Sequence, residues 1–366
     1  MSAIMLLQAG RSLELLSLVG FALIAGSAFL FTSFAKDSFS PLTLTALRLF
    51  VGWIGLSAAN LVHNQLKAVR AMSMLEVLSL ARVGLLNTCV PYTLYAVAMT
   101  SGVSTGIAAV MAGSSPLMAA CGSALLDVPP GAAKALFRPR KFLGLLIGFI
   151  GVLFIALYRY LLHDRSSGHK GTLPGDLLML LGCCTKASAA VLCQRHNQRF
   201  EETPPPIVQA YVQTTGGLVV AFFLAASLDC TGRTPYLLDP KGLSRDAQEN
   251  CILRWQHVPL QGWLSLAYLG IFSSCIVYIL QFFLLARVGA VRQCLVDYLI
   301  PVVGVAEGIL FKKDLAKGSL EGMAICGAGV ALAIASLLMH WPDSSRIARN
   351  SDVAGCNEAL VGDGDV

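Results

Sequence analysis

Residues 83 to 126 run for 44 positions without one charged side chain. No other feature limits the fold as sharply. A single helix of that length would measure about 66 Å, roughly twice the 30 Å of bilayer hydrocarbon. The polar "TSGVST" near its middle therefore divides the run into two spans. Uncharged runs also extend from Leu15 to Ala35, Phe142 to Tyr158, Thr203 to Leu228, Trp255 to Ala286 and Gly322 to Pro342. Only 13% of the 366 residues are charged and 55% are hydrophobic, whereas a soluble domain carries about 25% charged residues. Runs this long and this apolar suit helices rather than barrel strands, because a helix pairs its own backbone groups in lipid.

Polar and Gly/Pro punctuation gives ten spans, at 13–35, 41–62, 75–99, 103–126, 142–162, 174–194, 206–228, 262–286, 290–311 and 319–340. The expectation is an all-α, multi-pass integral membrane protein with ten transmembrane helices. The first span lacks a basic n-region and a small-residue cleavage site, so it reads as a retained helix. Lys and Arg divide nearly evenly between the two sides. The cluster Arg138, Arg140 and Lys141 favours a cytoplasmic loop there, which places both termini in the cytoplasm. The net charge of +6 then reads as membrane-flanking charge rather than a nucleic-acid footprint. Eight of the eleven cysteines fall inside spans, where Cys acts as a small hydrophobe. Cys230 and Cys251 share a loop, as a disulfide or as two thiols. Residues 341–366 are polar and read as a disordered cytoplasmic tail.

The stretch "VGLLNTCVPYTLY" at residues 83–95 returns as "LGIFSSCIVYILQ" at residues 269–281. A shift of 186 positions pairs Gly84 with Gly270, Thr88 with Ser274, Cys89 with Cys275 and Tyr92 with Tyr278. With small gaps the register continues: Pro116 meets Pro301, and "GLLIGFIGV" from Gly144 meets "GMAICGAGV" from Gly322. Upstream, Pro41, Arg48 and Gly52 fall opposite Pro206, Gln213 and Gly217. The chain reads as two five-helix units, 1–162 and 163–340. A unit with an odd number of spans ends on the side opposite its start, so the second copy must be inverted. Inverted repeats are a transporter device.

Architecture and residues together resemble the drug/metabolite transporter superfamily, specifically its EamA-type members. The resemblance rests on "PLTLTALRLFVG", "GVSTGIAAVMAGSSP", "LLARVGAVRQCLVDYLIPVVGVAEGILFKKD" and "GMAICGAGV", and it covers nearly the whole chain. It implies transport of a small solute by two inverted five-helix halves. Two positions depart from the pattern. Ile300 stands where such families often carry an acidic residue before the proline of the ninth helix, which bears on any proton coupling. The loop between the fourth and fifth spans holds the insert "VPPGAAKALFRPR".

Candidate substrate residues follow from helical spacing. Gly84, Asn87, Thr88, Pro91 and Tyr95 share one stripe of the third span; Gly270, Ser273, Ser274, Val277 and Gln281 share one stripe of the eighth. Polar side chains avoid lipid, so each stripe faces either a wet cavity or a packed neighbour. Tyr92 and Tyr278, matched by the repeat, join them. The ionisable residues in or near spans are Arg48, Arg82, Lys186, Arg292, Asp297 and Glu307. Lys186 is the deepest cation, too deep to snorkel, whereas Arg48, Arg82 and Arg292 lie closer to span ends. The substrate-binding candidates are thus Asn87, Thr88, Tyr92, Tyr95, Lys186, Ser274, Tyr278, Gln281, Arg292 and Asp297. A plain ion pair between Asp297 and either Lys186 or Arg292 is the structural alternative.

The six histidines lie in loops or at span ends, and no phosphate-binding Gly-rich loop occurs. Neither a metal centre, nor another cofactor, nor an ATP-driven pump is expected. The reading is a secondary transporter of a small polar metabolite, with the excess of intramembrane cations favouring an anion and with a coupling ion or proton left open. A non-transporting scaffold or receptor, and then a membrane-embedded enzyme, are the rival classes. The expected partners are a small-molecule solute and membrane lipids, not nucleic acid.

Overall fold

The computed structural model describes residues 3–132, 143–147, 150, 173–200, 203–243 and 258–312, and every regular element among them is helical. In chain order these are α1 (Ala3–Ala35), α2 (Pro41–Val62), the short α3 (Leu66–Ala71), α4 (Met74–Thr100), α5 (Thr105–Leu126), α6 (Leu173–Arg199), α7 (Pro206–Asp229), α8 (Leu260–Val288), α9 (Ala290–Cys294) and α10 (Ile300–Lys312). Among the described residues seven helices are long and apolar enough to cross a membrane, and they coincide with the first four spans and the sixth to eighth. Phe222 and Phe223 hold 65% and 71% of their surfaces outward, as expected where the surroundings are lipid. The fifth span, apart from helical residues at 143–147 and 150, lies outside the described residues. So do the tenth span, the boundary at 162, Cys251 and the tail.

The ninth span is not one helix. A 3-10 turn, Leu295–Tyr298, separates α9 from α10, just before Pro301, whose ring removes an amide donor and crowds the preceding turn. The fourth span behaves alike. In α5 the helix is interrupted at Gly113 and Ser114 and restarts with Pro116 in its first turn. The two broken helices thus carry the prolines that the repeat, with its small gaps, matches.

Helices α4 and α8 share a second deformation. Each contains a π-turn, Leu85–Cys89 in α4 and Leu269–Ile276 in α8. In α4, Pro91 cannot donate to the carbonyl of Asn87, and the Tyr278 hydroxyl donates to that oxygen at 3.0 Å. Residue 277 opposite Pro91 is valine, so the proline is not common to both π-turns; the matched glycines, Gly84 just before the first turn and Gly270 within the second, are.

Those glycines mark where helices touch backbone to backbone. A Cβ on Gly84 would overlap the Gln213 carbonyl of α7, and one on Gly270 would lie 3.3 Å from the Arg48 carbonyl of α2. A Cβ on Gly52 would sit 2.7 Å from Cβ of Ser274, and one on Gly217 would overlap the Thr88 hydroxyl. Since the register matches Gly52 with Gly217 and Ser274 with Thr88, α2 meets α8 through the same pairs by which α7 meets α4. Such close approach is the packing that small residues permit in a membrane.

The start of α2 is capped from another helix. Ser40 is its N-cap but makes no side-chain cap bond. Instead Asp229, at the end of α7, accepts from the Thr43 amide at 3.0 Å, from the Thr43 hydroxyl at 2.8 Å and from the Ser40 hydroxyl. A carboxylate there satisfies an orphan amide and complements the helix dipole. It also holds the beginning of α2 and the end of α7 at the same face of the bundle.

Candidate functional site

A cavity of about 40 Å³ lies where α1, α2, α4, α5, α6, α8 and the break before α10 converge. That is room for a few water molecules. Its charged lining residues are Arg48, Lys186 and Asp297, among Tyr92, Tyr95 and several hydroxyls.

Arg48 is 5% exposed. Its Nε donates to Ser274 Oγ at 2.9 Å and its Nη2 to Ser273 Oγ at 2.6 Å. The guanidinium carbon lies 3.5 Å from the centroid of the Tyr92 ring. A planar fork that bonds two hydroxyls and stacks on a ring uses the properties that distinguish arginine from lysine. Its position near a span end suggests snorkelling, but α8 packs over it and the side chain turns into the protein. No carboxylate stands within ion-pair distance of it among the described residues.

Lys186 occupies the middle of α6 and is half-buried. Its Nζ lies 5.9 Å from the centroid of the Phe21 ring. Asp297 is 3% exposed, in the 3-10 turn before α10, and its Oδ1 has no hydrogen-bond partner. Both residues line the cavity, yet no salt bridge joins them. An unpartnered carboxylate oxygen and a lysine whose charge acts on that carboxylate from beyond ion-pair distance face one small space, a polar site that a ligand or water can complete.

Tyr95 also lines the cavity. Its hydroxyl donates to Cys183 Sγ at 3.7 Å, and its ring rests on Gly182, where a Cβ would lie 2.5 Å from Cε1. Thr32, Thr45 and Ser115 donate to backbone carbonyls of their own helices at 2.7, 2.9 and 2.7 Å. The Thr45 oxygen also accepts from the Thr93 hydroxyl at 3.4 Å, and each of the three retains acceptor capacity toward the cavity.

Of the sequence-derived candidates, Tyr92, Tyr95, Lys186 and Asp297 meet in this lining. Asn87, Thr88, Ser274, Tyr278, Gln281 and Arg292 are not part of it. Asn87, Tyr278 and Gln281 form a buried cluster instead. Asn87 Nδ2 donates to Gln213 Oε1 at 3.1 Å, and Gln281 Nε2 donates to Asn87 Oδ1 at 3.2 Å. Thr88 donates to the Gly84 carbonyl at 2.7 Å, while Ser274 touches the site through Arg48. Arg292 lines a separate cavity of about 270 Å³ with Gln194, Ser123 and the turn at Val128 to Ala132. Arg48, Thr32, Thr45, Ser115 and Ser273 are polar lining residues that are not among the sequence-derived candidates. One signal for Arg48 was available: the register sets it opposite Gln213, which bonds Asn87 just as Arg48 bonds Ser273. Among the described residues no group of three His, Cys, Asp or Glu gathers to hold a metal ion.

Comparison with known proteins bears on the family and the fold. No curated protein sequence matches the chain. A crystal structure described only as that of a protein superposes with a TM-score of 0.61, covering 90% of this chain and 98% of its own at 18% identity, which shows a shared fold and no more. The model of the EamA-like transporter family matches residues 12–157 and 251–335. With more than half of its length so matched, the chain belongs to the EamA-like transporter family.

Proposed function

We propose that this membrane transporter carries a small polar metabolite bearing a carboxylate or phosphate, and that it works as a secondary transporter by alternating access between two inverted five-helix halves. The observation that carries the reading is the cavity chemistry: two cations, Arg48 and Lys186, against one carboxylate whose Oδ1 is unpartnered. An anion between the cations would replace the water that each must otherwise keep. Asp297 and the hydroxyls of Thr32, Thr45 and Ser115 would accept hydrogen bonds from the same solute, so an anion that also carries donors fits best. At about 40 Å³ the space is too small for a metabolite, so the helices around it must separate to load one. The breaks in α5 and before α10 supply hinges beside the site. The exchanged contacts of α2 with α8 and of α7 with α4 support the inverted arrangement.

Proteoliposome flux tests the proposal, after a thermal-shift screen of carboxylates, phosphates, neutral sugars and cations has named a ligand. Wild-type protein should accumulate an anionic solute, and Lys186→Met should insert and fold but lose that flux by about tenfold or more, as expected for removal of a charge-assisted bond. Asp297→Asn and the double variant separate binding from a structural pairing. If Lys186 serves only to neutralise Asp297, the double variant regains stability and transport together, and the binding role is overturned. Turnover of a solute in detergent, without a gradient, would point to an enzyme instead.

A further inference from the structure

Away from the cavity, the outer surface between α4 and α7 holds an apolar groove of about 390 Å³. Val77, Ala81 and Leu85 line one wall, Tyr211 and Val219 the other, and Val69 of α3 stands at one end. Arg82 lines it as well, exposed at the surface of an apolar span. We propose that this groove binds one anionic phospholipid, with an acyl chain along the groove and the phosphate on Arg82.

Close helix contacts form the floor of the groove. A Cβ on Gly216 would lie 2.6 Å from the Ala81 carbonyl, so α4 and α7 touch at its floor. Tyr211 stacks on Trp53 of α2 with centroids 6.2 Å apart, and Trp53 Nε1 donates to Thr215 Oγ1 at 3.1 Å. A preformed apolar slot accepts a hydrocarbon chain without first paying to order its walls. Arg82 lies eight residues beyond the start of α4, about 12 Å along the axis. No salt bridge to it is present among the described residues. A guanidinium at that depth on an outward face needs water or an anion, and in a bilayer the anion at hand is a lipid phosphate. Lys67 and Arg70, both exposed, flank Val69 on α3 at the same end. This concentration of cations selects a net-negative headgroup over a zwitterionic one, whose own ammonium would meet like charge. The inference rests on membrane insertion alone and stands whether or not the solute reading holds.

Native mass spectrometry of the full chain, with phosphatidylglycerol and phosphatidylcholine of identical acyl chains, tests it. Wild-type protein should retain one phosphatidylglycerol in preference to phosphatidylcholine and show a higher melting temperature with it. Arg82→Gln should bind phosphatidylglycerol about tenfold or more weakly, with an unchanged melting temperature in detergent alone. Should Arg82→Gln fail to fold, Lys67→Gln with Arg70→Gln, at exposed positions, provides the second measurement and should also reduce the preference. Inorganic phosphate should give no comparable shift, because it leaves the groove empty. Equal retention of the two lipids, an undiminished preference in the variants, a full shift with inorganic phosphate, or burial of the groove in a dimer would each overturn the proposal.

Discussion

Arg48 shows how much one side chain depends on its surroundings. The Arg48→Lys variant retains the charge but presents a point ammonium that cannot bond Ser273 and Ser274 while stacking flat on Tyr92. Loss of one charged hydrogen bond costs about 1.5–3 kcal/mol, so the variant should fold with a lowered melting temperature and transport less than wild type. Arg48→Lys with full flux and unchanged stability would show that the two serine bonds are incidental. Sequence conveys the depth of such residues well. Lys186 is recognisable as mid-helix because α6 extends about equally on either side of it, and Asp297 because it precedes a proline in an apolar run. Direction around the helix is another matter. Asn87 and Gln281 sit on small, polar stripes that suit a wet cavity and a packed interface equally, and only their partners, Gln213 and each other, distinguish the two. Arg48 was hidden for the converse reason, since a cation near a span end can snorkel outward or turn inward, and the packing of α8 decides.

At the scale of the helix, the repeated glycines decide which elements can touch. Gly84 and Gly20 lie in apolar helices and look alike in the sequence, yet their surroundings differ. A Cβ at 84 would overlap backbone of α7, which cannot rotate away, whereas at 20 the nearest atom is Leu280 Cδ1 at 3.8 Å. Gly84→Ala should therefore destabilise the protein by about 3 kcal/mol or more, at or beyond the top of the usual overpacking range. Gly20→Ala should be neutral or stabilising by up to about 1 kcal/mol, since alanine favours the helix. Thermal unfolding of both variants in the same detergent checks the contrast; similar melting temperatures would mean that α4 and α7 are not in backbone contact. Gly217→Ala offers a softer case, because its obstacle is a hydroxyl, and adding Thr88→Ala should recover part of the loss. The helices themselves were largely legible, because an apolar run bounded by Gly, Pro and charge is a long-range signal. Prolines mark where α4 and the ninth span can deform, but the π-turn of α8, which has none, was not legible, as it arises from local backbone competition that composition does not record. The short α3 was also missed, being too short and too polar to register as a span.

On the scale of the whole molecule, orientation follows from parity. Asp229 binds the start of α2, so the end of α7 and the beginning of α2 share one face, and the α2 to α3 connection lies at the other. If the two units have five spans each, their matching ends must face opposite sides, and an even total returns the chain to the side where it began. With both termini in the cytoplasm, the orientation that the charge of the loop at 138–141 predicts, His63 would be cytoplasmic and Leu237, in the connection after α7, extracytoplasmic; both side chains are exposed. In a background lacking native cysteines, Leu237→Cys should react with a membrane-impermeant maleimide applied to the extracytoplasmic face of sealed membranes. His63→Cys should react only after the membrane is opened. Reaction of residue 63 alone would reverse the orientation while leaving the helical arrangement intact. Equal reaction of both in sealed membranes is the more damaging outcome, because it would place the two ends of α2 on one side of the bilayer and remove the parity on which the inverted repeat, and with it alternating access, depends.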